Sequence, residues 1–249
     1  MPIDPETLLA LVAVATLAGF IDAIAGGGGL LTLPALLWAG LPPVQALATN
    51  KLQGTFGSLT ATLNFIHKGE IGLGEMAGTV ALTFLGSALG TFAVQQIDPG
   101  LLRSLLPLLL IAFALYFLFS PRVGDRDAHR RIGVPLFGLT AGFGIGFYDG
   151  FFGPGTGSFF ALAFVALLGF NLRKATAHAK LLNFASNLAS LLAFIAGGKL
   201  IWFLGLAMAG GQFVGAWTGS HLVLRQGTAL IRPMLVAVSL AMAVRLLLG

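Results

Sequence analysis

Residues 19–65 read GFIDAIAGGGGLLTLPALLWAGLPPVQALATNKLQGTFGSLTATLNF. An apolar run at 7–24 ends in Asp22 and the tetraglycine 26–29, a short apolar piece follows at 30–40, and a longer run at 44–66 carries Lys51. A membrane crossing takes about 20 apolar residues. The outer runs are therefore long enough to span a bilayer, and the piece after the glycines is not. The stretch predicts a spanning helix that breaks at glycine, a half-length segment, and a second spanning helix with a lysine inside it.

Working outward, apolar runs recur at 75–95 and 101–120, then, after the polar segment PRVGDRDAHRR, at 132–152, 174–196, 199–219 and 229–248, with a second short piece at 158–169 behind GPGTG. The chain of 249 residues is 57 % hydrophobic and 9 % charged, with a mean hydropathy of +0.93. A soluble domain carries about 25 % charged residues. The lipid bilayer is thus the expected partner of this surface. There is no cysteine, which removes disulfides, thiolate metal sites and cysteine nucleophiles. The net charge of +5 comes from residues in loops, where it orients membrane proteins, so no nucleic-acid partner is expected. Acids without Lys or Arg precede the first run, so that run is expected to persist as a helix and not to be cleaved as a signal peptide.

The second half repeats the first. At an offset of 127, Gly19, Phe20, Asp22, Gly26 and Gly28 fall on Gly146, Phe147, Asp149, Gly153 and Gly155. At 129, Gly40, Ala46, Lys51, Gly69, Gly86, Gly90 and Arg103 fall on Gly169, Ala175, Lys180, Gly198, Gly215, Gly219 and Arg232. Paired Asp, Lys and Arg are rare in such a composition, so the likeness is a duplication, as transporters often carry. The expected fold is all-α: a polytopic transmembrane bundle of two repeats, 1–124 and 125–249, each with about four spanning helices plus a short broken or re-entrant segment. If that segment reverses direction, the repeats are inverted. Lys68, Arg122, Arg126, Arg130, Arg131, Arg173, Lys174, Arg225 and Arg232 then lie in the cytoplasm against Arg103, Lys199 and Arg245 at the other face, with both termini outside. Parallel repeats give a weaker bias. Trp38, Trp202 and Trp217 fall near predicted span ends.

Four charged residues lie deep in the runs: Asp22, Asp149, Lys51 and Lys180. Each costs roughly 2.5–3.5 kcal/mol at a helix centre on insertion scales, so they must face one another, water or a ligand. Depth along the helices pairs Asp22 with Lys180 and Asp149 with Lys51, either as structural locks or as gates. Each lysine has polar company at helical spacing, Gly54, Ser58 and Thr62 after Lys51 and Asn183, Asn187 and Ser190 after Lys180, with Asn50 and Gln53 close by. A salt bridge alone needs no such stripe, and a substrate path does. The expected binding residues are Lys51, Lys180, Asn50, Gln53, Asn183 and Asn187, joined by Gly27, Gly28, Gly155 and Thr156 at the breaks, where freed backbone N–H groups suit an anion. Asp22, Asp149 and His178 are the expected gating or proton-coupling groups. No metal site, cofactor or enzyme activity is expected. An intramembrane aspartyl protease is a remote alternative, since two buried carboxylates sharing a proton would need the lysines elsewhere.

Residues 19–65, with the weaker copy GFYDGFFGPGTGSFFALAFVALLGFNLRKATAHAKLLNF at 146–184, resemble the sulfite exporter TauE/SafE family of bacterial membrane proteins. The resemblance covers essentially the whole chain and rests on the doubled glycine-rich break followed by a helix after G-[LF]-[PN]. It implies a multi-pass protein of the bacterial inner membrane that passes small sulfur-containing anions, sulfite or organosulfonates, and it implies no enzyme. An anion channel is the alternative, and a homo-oligomer is left open. Pro154 and Thr156 in the second break, and His178-Ala179-Lys180 against Thr49-Asn50-Lys51, make the two half-sites chemically unequal.

Overall fold

The computed structural model describes residues 4–98, 100–102 and 128–226. The runs at 101–120 and 229–248 fall almost wholly outside these residues, as do the repeat boundary at 124/125 and Arg103, Arg122, Arg126, Arg232 and Arg245. The described residues contain helices and no strand.

Asp4 caps α1 (Pro5–Ala25), accepting the Thr7 N–H at 2.8 Å, and Pro5 supplies the first helical φ. These bonds, the Thr7 N–H first and its hydroxyl second, hold the Asp4 carboxyl below its ordinary value. Gly26, at φ 80°, closes α1 by donating to the Asp22 carbonyl at 2.8 Å. The half-length α2 (Gly29–Trp38) follows, then α3 (Pro43–His67) behind a Pro-Pro start, then α4 (Leu73–Gln95). In the second half α5 (Val134–Phe137), a π-helical segment (Gly138–Gly142) and α6 (Phe143–Phe151) stand where α1 stands in the first. They lead to α7 (Thr156–Leu168), α8 (Leu172–Ala196) and α9 (Trp202–Gln226).

The backbone follows the same offsets as the sequence. The bounds of α8 are those of α3 moved by 129 residues. Glycines with positive φ stand in matching pairs, Gly26 with Gly153, Gly40 with Gly169 and Gly69 with Gly198. The pattern fails at one place: Gly155 has φ 83°, while its counterpart Gly28 is helical at φ −56°. Here the second break turns differently from the first.

Contacts between the halves obey the same exchange. On α9, Gly211, Gly215 and Gly219 lie against the backbone of Val12, Thr16 and Phe20 on α1. On α4, Gly86 and Gly90 lie against Phe143 and Phe147 on α6. A Cβ at any of these glycines would strike a backbone carbonyl, so glycine is what permits the close approach. In both pairs the contacts advance together along the two chains, which makes α1 parallel to α9 and α4 parallel to α6. Contacts between α3 and α8 run the other way. Asn187 lies beside Gly54 and Ser58, while Arg173 at the start of α8 pairs with Glu70 just past the end of α3. The repeat-mates α3 and α8 therefore cross antiparallel.

Among the described residues three helices, α1, α4 and α8, are long and apolar enough to cross a membrane by length and composition. The helices α3 and α9 match α8 in length at 25 residues. The polar stripe of α3 lowers its apolarity. At α9, hydropathy marked the run 199–219, yet the helix continues to Gln226 because backbone hydrogen bonding does not stop where the apolar residues do. Trp38 and Trp202 stand at helix ends, but Trp217 lies two turns inside α9 with its ring against His221.

Overpacking a tight contact costs about 1–3 kcal/mol. Gly86→Val and Gly215→Val should each lower the unfolding free energy in detergent by that much. Gly74→Val, at a glycine with open space around it, should change it little. Equal losses at all three would show that close interhelical approach at Gly86 and Gly215 does not set the stability.

Candidate functional site

The two glycine breaks meet. A Cβ at Gly26 would strike the backbone of Gly157 and Ser158, and Gly29 lies against Pro154. The Ser158 hydroxyl donates to the Ala25 carbonyl, and the Tyr148 hydroxyl donates to the Pro154 carbonyl, so each break is tied by a hydroxyl to a carbonyl beside it. The starts of α2 and α7 are thereby brought to one point between α3 and α8.

Around that point the charges pair across the halves. Lys51 Nζ lies 2.7 Å from Asp149 Oδ1, and Lys180 Nζ lies 3.0 Å from Asp22 Oδ2. Both lysines are buried at 1 % exposure, as is Asp149, which leaves no solvent to hold the charge. Both ammoniums also lie beside the second break, Lys51 near Gly153 and Lys180 near Gly157. The cross-half pairing is the one that helix depth predicts. It leaves each carboxylate with its own lysine.

A cavity of about 30 Å³, room for about one water molecule, opens between these groups. Its walls include Asp22, Lys51, Asp149, Asn50, Asn183 and Asn187, with Gly28, Gly155 and Thr156 from the breaks. Asn50 Oδ1 accepts from the Thr32 hydroxyl at 2.5 Å and from Gln53 Nε2 at 3.2 Å. Asn187 Nδ2 donates to Asn183 Oδ1 at 3.3 Å and to Ser58 Oγ at 3.4 Å, linking the two stripes. The arrangement is polar, donor-rich and enclosed by apolar helices, and it suits an anion that displaces one of the internal ion pairs.

Four expected site residues stand off the cavity wall. Lys180 sits behind Asp22, and Gln53 acts through Asn50. Gly27 serves the turn, its carbonyl accepting the Leu30 N–H at 3.0 Å. His178 is packed between Phe164 and Phe170, at 5.6 and 5.0 Å between ring centroids, and its Nδ1 bonds the Lys174 carbonyl at 2.9 Å. The expected free N–H of Gly28 is engaged, donating to Asp22 Oδ1 at 3.1 Å.

Sequence reasoning missed Gln212 of α9, which lines the cavity and whose side chain packs on Gly57. A lone uncharged amide in an apolar run was the available signal. It also missed the hydroxyl stripe Thr79, Thr83, Ser87 and Thr91 on α4, spaced by four. Ser87 Oγ and Thr91 Oγ1 lie 3.0 and 2.6 Å from Ser190 Oγ, so Ser190 serves helix contact and not the cavity.

The family profile of the sulfite exporter TauE/SafE matches residues 11–246. The chain belongs to this family. A relative from Escherichia coli (strain K12), the probable membrane transporter protein YfcA, is 56 % identical over 98 % of this chain and 91 % of its own length. A probable membrane transporter protein of Haemophilus influenzae is 50 % identical over 99 % of this chain and 96 % of its own. A more distant TauE/SafE family protein from Arabidopsis thaliana is 27 % identical over half of the chain and 31 % of its own length. No solved structure gives a significant match. With its apolar helices, the chain is a multi-pass bacterial membrane transporter of the TauE/SafE family.

Removing one partner of a buried ion pair costs about 3–5 kcal/mol, because the other charge is left uncompensated. In this TauE/SafE protein Lys51→Ala should lose that much stability, and the double variant Lys51→Ala/Asp149→Ala should recover part of it. Chemical unfolding in detergent measures the cycle. Strictly additive losses would mean the pair is uncoupled.

Proposed function

We propose that the chain carries small oxyanions, of the sulfite or organosulfonate class, out of the cell through a path at the interface of two inverted repeats. The observation that carries this reading is the pair of buried Lys–Asp bridges crossing between the halves beside a polar cavity. An oxyanion exchanges one internal carboxylate for its own oxygens without changing the kind of bond the lysine makes. The family's description names sulfite export, which supports the substrate class.

Three features support inversion: the antiparallel crossing of α3 and α8, the parallel pairing of each first helix with the other half's fourth, and the distribution of basic residues. The Asn64 contact with Ser220 brings the ends of α3 and α9 together, and Ala128 and Arg131 bond the end of α7 beside α8. Lys68, Arg130, Arg131, Arg173, Lys174 and Arg225 therefore gather at one end, and Lys199 lies at the other. By the positive-inside rule the first end is cytoplasmic. A monovalent anion leaving a negative cytoplasm by itself gains about 2.3 kcal/mol per 100 mV, which favours export whenever the anion moves alone. The small size of the cavity supports an alternating-access carrier over an open channel.

Proteoliposomes offered sulfite, organosulfonates and carboxylates test the reading. Sulfite or a sulfonate should be carried in preference to carboxylates, with saturable counterflow. Losing one charge-assisted hydrogen bond, about 1.5–3 kcal/mol, should cut flux roughly ten- to a hundredfold in Lys51→Ala. Unaltered transport in a folded Lys51→Ala protein would refute the assignment.

A further inference from the structure

The two ion pairs are related by the duplication and yet are built differently. Both carboxylate oxygens of Asp22 are occupied, Oδ1 by the Gly28 N–H and Oδ2 by Lys180. Lys180 is fastened twice to the same residue, because its ammonium also donates to the Asp22 carbonyl, and it stands off the cavity wall. At the other pair, Asp149 Oδ1 takes both Lys51 and the Thr156 hydroxyl at 2.7 Å, while Oδ2 is buried without a partner. Lys51 and Asp149 both line the cavity. Thr156 occupies the position of Gly29 in the first half, so the difference is written into the sequence at the second break.

Charge balance then poses a problem. Lys51, Lys180, Asp22 and Asp149 sum to zero, and a bound anion would leave the interior at −1 where water is scarce. Such an uncompensated charge is strongly disfavoured in a low-dielectric setting. One proton restores neutrality. We propose that Asp149, and not Asp22, takes up a proton that travels with each anion, on the reading that this chain transports small oxyanions.

Asp149 Oδ2 is the oxygen left free for the proton. Both oxygens of Asp22 are already engaged by N–H donors. Around Asp149 the charged group on α3 is Lys51, with Lys180 of α8 and Asp22 of α1 across the cavity. On its own helix Tyr148 is tied to Pro154, while α4 offers the uncharged hydroxyls of Ser87 and Thr91. When an anion enters, an O–H bond forms at Oδ2 with a proton from water on the same side. The Lys51–Asp149 bridge opens, and both Lys51 and the new O–H donate to the anion. On the far side the O–H bond breaks, proton and anion leave to water, and the bridge re-forms. No electron is transferred, and net movement is one proton per anion, so the coupled cycle is electroneutral and follows the anion and proton gradients, not the membrane potential that acts on an anion moving alone.

The test uses the full chain in proteoliposomes holding a pH-sensitive dye, offered methanesulfonate, whose single negative charge is fixed near neutral pH. In the wild type, proton and anion should enter together at one to one. Asp149→Asn mimics the protonated residue, so it should keep anion counterflow and lose net proton-linked uptake. Asp22→Asn should slow transport and keep the one-to-one ratio. Wild-type anion entry without protons overturns this inference and leaves the proposed function standing. So does a folded Asp149→Asn protein that lacks counterflow or still moves one proton per anion, or an Asp22→Asn protein that loses the ratio. Should Asp149→Asn not fold, the wild-type and Asp22→Asn ratios decide. No flux of any tested anion in the wild type overturns both the proposed function and this inference.

Discussion

Two lysine ammoniums are buried inside helices that face lipid, and the rest of the structure is arranged around that fact. An isolated charge at this depth is untenable, so each lysine needs a carboxylate, and each finds it in the other half of the chain. Bringing Lys51 to Asp149 and Lys180 to Asp22 requires the first helix of each half to end near the middle of the other. The glycine breaks end it there. The glycine faces of α4 and α9 then let the first helices approach closely enough for the bridges to close.

Much of this was legible in the sequence because charge is scarce in it. With so few ionisable residues inside apolar runs, a duplication that aligns Asp with Asp and Lys with Lys nearly dictates the pairing. The half-length helices were legible for a similar reason, since glycine runs stop a helix and a short apolar piece cannot span. What sequence did not show depends on rotation about helix axes. Nothing in a linear reading tells that Lys180 stands behind Asp22 while Lys51 stands in front, or that His178 turns into a pocket of Phe164 and Phe170. Gln212 was hidden because an amide carries no charge to make it conspicuous, and its counterpart Thr83 lies in a seam of hydroxyls.

The departures from symmetry concentrate where the chemistry does. Helix bounds and turn glycines repeat faithfully over the scaffold, and the mismatch between Gly28 and Gly155 sits at the wall of the cavity. A scaffold of two like halves gives two like half-sites by default. Where the first half has Gly29, Thr156 adds one hydroxyl donor to Asp149 Oδ1, while Asp149 Oδ2 lacks a partner such as the Gly28 N–H provides at Asp22.

The parallel embrace of α1 by α9, and of α6 by α4, has a consequence for how the protein is made. The first helix emerges from the ribosome long before the helix that covers its glycine-lined contact, and the fourth helix of the first half waits for the first of the second. Neither half can bury its charges alone. Until translation is nearly finished, Asp22 and Lys51 must be sheltered by the insertion machinery or held toward the membrane surface. Biogenesis is therefore an all-or-nothing event, with the last helices acting as the keystone that commits the first ones to their final depth.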